Sequence, residues 1–359
     1  MPQPAIVTLQ DIADIAEVSR TTVSLALRGY PKISLPVRNK VKVLAQKLGY
    51  RPNPLLAAHM TALRTRRPCN TGQCLAFVCG RSLREVEADT KRPVRYYFRG
   101  ARDRAAELGY NLEFFNLKNR GMTERRLSQI LVARGIRGVI VAPLTEGRGV
   151  SDVKLDWDAF ALATIEHTFV EPRLHKVCND EFSTVGRTIQ RLLDHGFQRI
   201  GIALRSEMDD HANHFWLAGY QSFQALNKRK HRVPHFITPH WNKPAFARWF
   251  KRWQPEAIIT INDDIVGWLR EMNVRVPEDV SCVTLYWKED RPQLSGYYQS
   301  HELSAAGAVD LVVSQLNRNE RGLPETEKTM LTQAVWREGN TLRPHEQAPA
   351  PAELRVWKR

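Results

Sequence analysis

Val7-Thr-Leu-Gln-Asp-Ile-Ala13, close to the start of the chain, has the pattern of a helix start. Thr8 and Asp11 have the spacing of a capping box, in which a hydroxyl and a carboxylate three residues later satisfy amides that a helix start leaves unbonded. Apolar residues then recur every three or four positions, at Leu9, Ile12, Ala13 and Ala16. The pattern predicts a helix that begins at Leu9 and buries one face.

Two more helices are predicted directly after it. Ser19 can cap a short helix from residue 20 to about 27, and Ser34 can cap a third helix that tolerates Pro36 in its first turn. The inward stripe of this third helix would consist of Val37, Val41, Leu44, Ala45 and Leu48. Two short helices joined by a tight turn and followed by a third are typical of a helix-turn-helix domain.

Positive charge is concentrated in this part of the chain. The protein has 359 residues and a net charge of +15, from 53 basic and 38 acidic residues. Residues 1–68 hold eleven of the basic residues and three of the acidic ones. A surplus of this kind on one small domain is typical of a nucleic-acid binder. The alternative is a plain three-helix bundle without a DNA role, which the helical pattern alone also fits.

The next segment predicts a short fourth helix and a basic linker. In Tyr50-Arg-Pro-Asn-Pro54, the asparagine can cap a helix and the second proline can start it, with an end near residue 63. Arg64-Thr-Arg-Arg-Pro68 follows. These arginines are either a solvated linker or phosphate contacts, and their position beside a basic domain favours phosphate.

From residue 73 onward, short apolar runs alternate with helical stretches. Strands are predicted at 75–79, 111–116, 138–142, 160–165, 199–204, 257–261 and 282–285, and helices at 96–108, 123–133, 183–195, 215–226 and 265–272. This alternation is typical of doubly wound parallel sheets, and the length of the chain suits two of them.

Several classes of protein are disfavoured by what the sequence lacks. The five cysteines form no Cys-x-x-Cys pair, so neither a disulfide framework nor a metal site is expected, and no cofactor is expected either. No apolar run is long enough for a membrane span, and the N-terminus does not resemble a secretion signal. We therefore expect a cytoplasmic protein associated with the nucleoid. An enzyme is a disfavoured alternative, because Gly-x-Ser-x-Gly, Gly-x4-Gly-Lys-Ser/Thr and His-Glu-x-x-His motifs are missing.

The segments Val7–Ala13, Val18–Ser24 and Gly49-Tyr-Arg-Pro-Asn53 resemble, without gaps, the headpiece of the lac repressor and galactose repressor family of bacterial transcription regulators. The resemblance implies that the second helix enters the major groove of an operator. It also implies that residues 53–68 form a hinge helix and linker that reach the minor groove. Dimers with this headpiece bind pseudo-palindromic double-stranded DNA.

The resemblance also assigns DNA-binding residues by position. Arg20, Thr21 and Leu25 would read base edges, with Arg20 suited to a guanine because its guanidinium can pair with O6 and N7. Mainly backbone contacts would come from Thr8, Ser19, Ser24, Ser34, Tyr50 and Asn53. The expected DNA-binding set also includes Arg28 and Arg64, together with Arg66 and Arg67, which would touch only phosphate.

Two positions depart from the family pattern. Leu25 stands where a polar or basic residue is usual, and would touch a thymine methyl or contribute nothing. His59 stands where the family has a leucine that wedges between base pairs at the operator centre. Either Met60 inserts in a shifted register or the central step is not opened by such a wedge.

A weaker resemblance extends over residues 5–343. It rests on Asp180-x5-Gly186, Leu192-x3-Gly196-x3-Ile200-Gly201, Leu217-Ala-Gly-Tyr220, Asn262-Asp263 and Val276-Pro-Glu-Asp-Val-Ser281. It implies a two-lobed, periplasmic-binding-protein-like sensor over residues 69–343, after a headpiece at 5–52. The sensor would form a homodimer and bind a small-molecule effector between its lobes, at the carboxyl ends of the strands.

The residues expected to line this cleft are Tyr97, Asp180, His214, Trp241, Asn262, Tyr286 and Gln299. Alternatively, Asp180 and Asn262 are caps, His214 is a surface histidine, and Trp241 and Tyr286 are core or interface aromatics. His214 and Tyr286 replace an arginine and an aspartate of sugar-binding members, which weakens a charged clamp. The loop from Arg81 to Arg95 could cover the cleft.

These features together predict a DNA-binding regulator, expected to be a repressor. The expected effector is sugar-like or ring-bearing, although a regulator without effector control is an alternative. The tail at 344–359 shows no leucine heptads, so a dimer is expected rather than a coiled-coil tetramer.

Overall fold

The computed structural model describes residues 8–27, 30, 33–48, 50, 73–89, 92–119, 121–143, 149–150, 155–226 and 232–344. Its helices, in chain order, are α1 (Leu9–Ala16), α2 (Arg20–Leu27), α3 (Leu35–Lys47), α4 (Leu83–Ala88), α5 (Val94–Glu107), α6 (Glu124–Ala133), α7 (Glu181–Asp194), α8 (Ser206–His211), α9 (Phe215–Leu226), α10 (Lys243–Trp253), α11 (Asp264–Glu271) and α12 (His301–Arg318).

The strands belong to the part of the chain after residue 73. They are β1 (Cys74–Cys79), β2 (Asn111–Asn116), β3 (Gly138–Val141), β4 (Gly149–Val150), β5 (Ala161–Ile165), β6 (Phe169–Glu171), β7 (His175–Asn179), β8 (Ile200–Arg205), β9 (Phe236–Thr238), β10 (Ala257–Thr260), β11 (Ser281–Thr284), β12 (Ser295–Tyr298), β13 (Thr329–Thr332) and β14 (Val335–Arg337).

Helices α1 to α3 pack around one small core, as the spacing of their apolar residues predicted. Ile12, Val23 and Val41, one from each helix, are fully buried there. The capping box of α1 is present, with the Asp11 amide donating to the Thr8 hydroxyl and the Thr8 amide donating to the Asp11 carboxylate. Ser34 is the N-cap residue of α3, as predicted, but its side chain makes no capping hydrogen bond.

Strands β1 to β14 form two six-stranded sheets and a small two-stranded one. The first sheet has the order β13-β7-β5-β3-β1-β2 and is parallel throughout. The second has the order β14-β12-β11-β10-β8-β9, in which only β14 runs antiparallel to its neighbour. The predicted pair of doubly wound sheets is therefore confirmed. We call the first sheet with its helices the N-lobe and the second the C-lobe.

The chain passes between the lobes three times: after β7, between β12 and α12, and between β13 and β14. The three passages are hydrogen-bonded to one another. The Gln333 side chain donates to the Asp180 carboxylate at 2.9 Å, the Asp180 amide donates to the carbonyl of Thr332 at 2.9 Å, and the Asn179 side chain donates to the carbonyl of Gln299. We call these connected passages the hinge.

Several elements differ from the sequence-based expectation, since the helices α4, α8, α10 and α12 and the strands β4, β6, β7, β9 and β12 to β14 were not predicted. The stretch from Arg81 to Arg95 is not a simple loop, because it contains α4, whose start is fixed by a capping box between Ser82 and Glu85. The long helix α12 was not predicted. It packs against α5 and the N-lobe sheet, so several of its sides are apolar and the usual one-sided stripe is blurred.

Within the residues that the structure describes, no helix combines the length and the apolar character needed to cross a lipid bilayer.

Candidate nucleic-acid interface and ligand cleft

Helix α2 presents a polar face away from the small N-terminal core. Arg20 and Thr21 are exposed, and Ser24 and Leu25 are half-buried. The four stand at positions i, i+1, i+4 and i+5, so they share one side of the helix. The opposite side, with Val23 and Ala26, is buried. The three predicted base readers therefore lie together on a surface that a DNA groove could contact.

The start of α2 is held by its own cap. The Ser19 hydroxyl accepts from the Thr22 amide at 3.0 Å and lies 2.8 Å from the Thr22 hydroxyl. No acidic residue stands in the first turn of α2, so the partial positive charge of the helix start faces solvent without a carboxylate beside it. This arrangement favours contact with an anion such as a DNA phosphate.

Other predicted DNA-binding residues have structural partners or cannot be described. The Thr8 hydroxyl donates to Asp11 at 2.8 Å, and the Tyr50 amide donates to the carbonyl of Ala45. The Ser34 hydroxyl makes no capping bond. Outside the described residues lie Arg28, Asn53, His59, Met60, Arg64, Arg66 and Arg67, together with the hinge helix and most of the tail.

In the C-lobe, Trp241 and Asn262 belong to one connected group at the carboxyl ends of the strands. The Trp241 indole donates to the Asp264 carboxylate at 2.8 Å, and Arg205 reaches the same carboxylate oxygen at 3.4 Å. The Asn262 side-chain oxygen accepts from the Arg205 amide at 3.1 Å. Trp241 also packs on Trp268, so it serves the C-lobe core while one part of it stays accessible.

His214 precedes α9 and is more than half exposed. Its Nδ1 lies 3.1 Å from the buried carboxylate of Asp209, which also accepts from the Leu217 amide. Its backbone has a φ of 61°, in the left-handed region. The neighbouring Phe215 ring contacts the His167 ring of the N-lobe, at 5.2 Å between centroids, so this segment joins the two lobes.

Asp180 and Gln299 are part of the hinge. One Asp180 oxygen accepts from the Ser183 amide at 3.0 Å and the other from Gln333, and these hydrogen bonds hold the pKa of Asp180 below its usual value despite partial burial. Gln299 is buried and donates to the carbonyl of Leu285 at 3.1 Å. Their side chains thus have partners in the protein itself.

Tyr97 and Tyr286 surround the buried imidazole of His301, with ring centroids 5.1 and 5.3 Å from it. A shallow pocket, open to solvent, lies against Tyr286 and His301 between the start of α5 and the segment after β11. Its rim carries both signs of charge, with Arg92, Arg95 and Lys288 opposed by Glu289 and Asp290. Burial lowers the pKa of His301 to about 4.

The sequence analysis missed an acidic group beside Tyr97. The Tyr97 hydroxyl donates to Glu166, which follows β5, at 2.9 Å. Glu181, the first residue of α7, is almost fully buried, and one of its oxygens lies 3.8 Å from His167 Nε2. No local pattern marks these residues, but Glu166 follows a predicted strand and Glu181 directly follows Asp180, so the strand-end rule could have included both.

Two family models match the chain. The model described as bacterial regulatory proteins, lacI family, matches residues 8–53, and the one described as a periplasmic binding protein-like domain matches residues 189–339. The HTH-type transcriptional regulator KdgR of Bacillus subtilis is 24% identical over 345 residues, covering 89% of this chain and 94% of its own. The HTH-type transcriptional repressor CytR of Escherichia coli is 24% identical over 296 residues, covering 78% and 80%.

Solved structures show the same fold. A complex of the transcriptional regulator CelR with cellobiose aligns with a TM-score of 0.53 at 20% identity, covering 93% of this chain and 99% of its own. The lac repressor dimer bound to operator and the anti-inducer ONPF aligns with a TM-score of 0.52 at 18% identity, covering 93% and 98%. The chain therefore shares its overall fold with these two regulators.

Proposed function

The chain belongs to the lac repressor and galactose repressor family of bacterial transcription regulators, and from this premise we propose that it is a repressor that binds a pseudo-palindromic operator as a homodimer. The observation that carries the proposal is the exposed face of α2, where Arg20, Thr21 and Leu25 stand free of the headpiece core. We further propose that a small molecule bound between the lobes changes its affinity for DNA.

Selection from a random duplex library tests the DNA-binding proposal directly. We expect enrichment of a site with two-fold symmetry, because each protomer would place one α2 in a major groove. Affinity for that site should fall steeply with salt, since each neutralised phosphate contributes about 0.9 to the logarithmic slope. An architectural protein would select no site, and enrichment of an asymmetric site would contradict a symmetric dimer.

Substituting Arg20 should change which sequence is selected. Arg20→Ala removes a guanidinium that can pair with two acceptors of one guanine, so binding to the selected site should weaken by about 1–3 kcal/mol and lose preference at one position per half-site. The matched control is Lys42→Ala, which removes one exposed positive charge from α3. It should leave the selected motif unchanged. An unaltered motif with Arg20→Ala would show that another residue reads that base.

A small-molecule site in this chain is supported by two solved structures of similar fold that hold a small ligand. The CelR structure contains cellobiose, and the lac repressor structure contains ONPF. In this chain Trp241, Asn262 and Tyr286 keep accessible surface and remain our proposed contacts, with Tyr97 behind them. For Asp180 and Gln299 the hinge hydrogen bonds favour a role in coupling the lobes, and His214 would act from the rim.

A regulator without effector control is the second candidate, since His214 and Tyr286 depart from the family pattern. A thermal-shift screen of the full chain separates the two. A ligand present at a hundred times its dissociation constant should stabilise the chain by about 2.7 kcal/mol. A hit should be weakened by Trp241→Ala.

A further inference from the structure

Three acceptor groups converge where the N-lobe meets the hinge. Glu166 follows β5, Asn179 ends β7 and Glu181 begins α7, so all three stand at the carboxyl ends of neighbouring parallel strands. Glu181 and Asn179 are 4% and 1% exposed, respectively. Glu166 keeps accessible surface although its hydroxyl partner, Tyr97, is buried. The group is therefore buried except at Glu166, which gives it one partly exposed edge.

Glu166 accepts from the Tyr97 hydroxyl, but two other acceptor atoms of this group have no donor among the described residues. In the part of the chain that the structure describes, one Glu181 oxygen and the Asn179 side-chain oxygen are buried without a hydrogen-bond partner. No described lysine or arginine forms an ion pair with Glu166 or Glu181, whereas the Nε2 atom of His167 lies 3.8 Å from a Glu181 oxygen. A buried acceptor left in this state costs free energy that a donor from a ligand would recover.

Aromatic rings lie beside the same acidic group. Tyr97 donates to Glu166, and Phe215 of the C-lobe packs on His167. Burial, and after it the charge of Glu166, raises the pKa of Tyr286. Aromatic faces attract cations through their quadrupole, and carboxylates attract them directly. A positively charged group with N–H donors would find here two carboxyl groups, acceptor atoms without hydrogen-bond partners, and aromatic rings.

We propose that the effector of this regulator is a small organic cation, a ring-bearing molecule whose amidinium or ammonium group donates to Glu181 and Glu166. The inference rests on the ligand-responsive function proposed above and specifies the chemistry of its ligand. The pocket beside Tyr286 carries positive and negative side chains, so it does not by itself favour a ligand of either charge.

Proton release should accompany binding. Burial and mutual repulsion raise the pKa of Glu166, and burial raises that of Glu181, in both cases to about 8. A cation favours the ionised carboxylates, so each carboxyl that is protonated beforehand must lose its proton. Binding of a permanently charged probe should therefore tighten as the pH rises from about 6 to above 8.

Benzamidine and its neutral isostere benzamide form the test pair, with calorimetry on the full chain. We expect benzamidine to bind at least about tenfold more tightly than benzamide at pH 8.5, because charge-assisted hydrogen bonds replace neutral ones. The preference should shrink at pH 6. Glu181→Gln should remove most of it, and Glu166→Gln should reduce it. Glu278→Gln, an exposed carboxylate on the C-lobe surface, should leave it intact.

The proposal would be overturned if the two probes bound equally tightly, or if benzoate bound more tightly than benzamidine. It would also be overturned if benzamidine did not bind at millimolar concentration. A preference that survives Glu181→Gln would overturn it as well, since the cation would then be held elsewhere. The operator selection is independent of these probes. A symmetric operator with a failed probe test would leave a regulator whose ligand is not a cation, whereas no DNA selection at all would overturn the proposed function.

Discussion

Gly100→Ala is expected to destabilise the sensor by about 3 kcal/mol. Gly100 lies in the middle of α5, where alanine would ordinarily be the better helix former. Here α12 crosses so closely that a Cβ at this position would lie within 3.0 Å of the Glu302 backbone. Backbone atoms cannot rotate away as a side chain can, so α5 and α12 would have to separate. Denaturant unfolding followed by tryptophan fluorescence measures the loss.

Gly267→Ala is the matched control. Gly267 also lies inside a helix, α11, and nothing in the described structure stands within 4 Å of an added Cβ. The same substitution should stabilise here by about 0.5–1 kcal/mol, because alanine loses less conformational entropy on folding. Equal effects at the two sites would mean that α5 and α12 do not pack as described.

Glu181→Gln is expected to stabilise the chain at high pH by about 2–4 kcal/mol, with the gain fading below pH 5. Burial raises the pKa of Glu181 from 4.5 to about 8. Between these two values the unfolded chain has lost the proton and the folded chain has kept it. The folded state therefore becomes less stable relative to the unfolded state as the pH rises through this window. Glutamine does not ionise and escapes the loss.

The measurement is the free energy of unfolding of both proteins at pH 5, 7 and 9. Glu278→Gln serves again as control, since its exposed carboxylate should show no comparable gain. A stability difference between Glu181→Gln and the parent chain that stays constant over this range would show that the Glu181 carboxyl is solvated and ionises normally. That outcome would also remove the support that proton release gives to a cationic effector.

The headpiece was largely predictable because its signals are local. The hydroxyl and carboxylate of Thr8 and Asp11 act within one turn, and the apolar stripe of α1 repeats within two. The same is true of the cap at Ser19. Where no such signal exists, as in α12, the sequence analysis found nothing, because a helix buried on several sides has no polar face to reveal its period.

For the proposed ligand cleft, the sequence predicted the location of its residues but not their contacts. The strand-end rule and family resemblance pointed to Asp180, Asn262 and Tyr286, but the partners of those side chains come from distant parts of the chain. Asp180 bonds Gln333, which is 153 residues away. The roles of such residues depend on the neighbours that the fold brings to them, and those neighbours cannot be inferred from residue type alone.

The sequence by itself determined the domain order, the alternation of strands and helices, and the face of α2 that we propose for DNA contact, because each follows from spacings of a few residues. Only the tertiary structure decided that Gly100 must stay a glycine while Gly267 need not, and that Glu166 and Glu181 share one partly buried site. Close approach and desolvation arise between segments far apart in sequence. Their energies exist only once those segments have packed together.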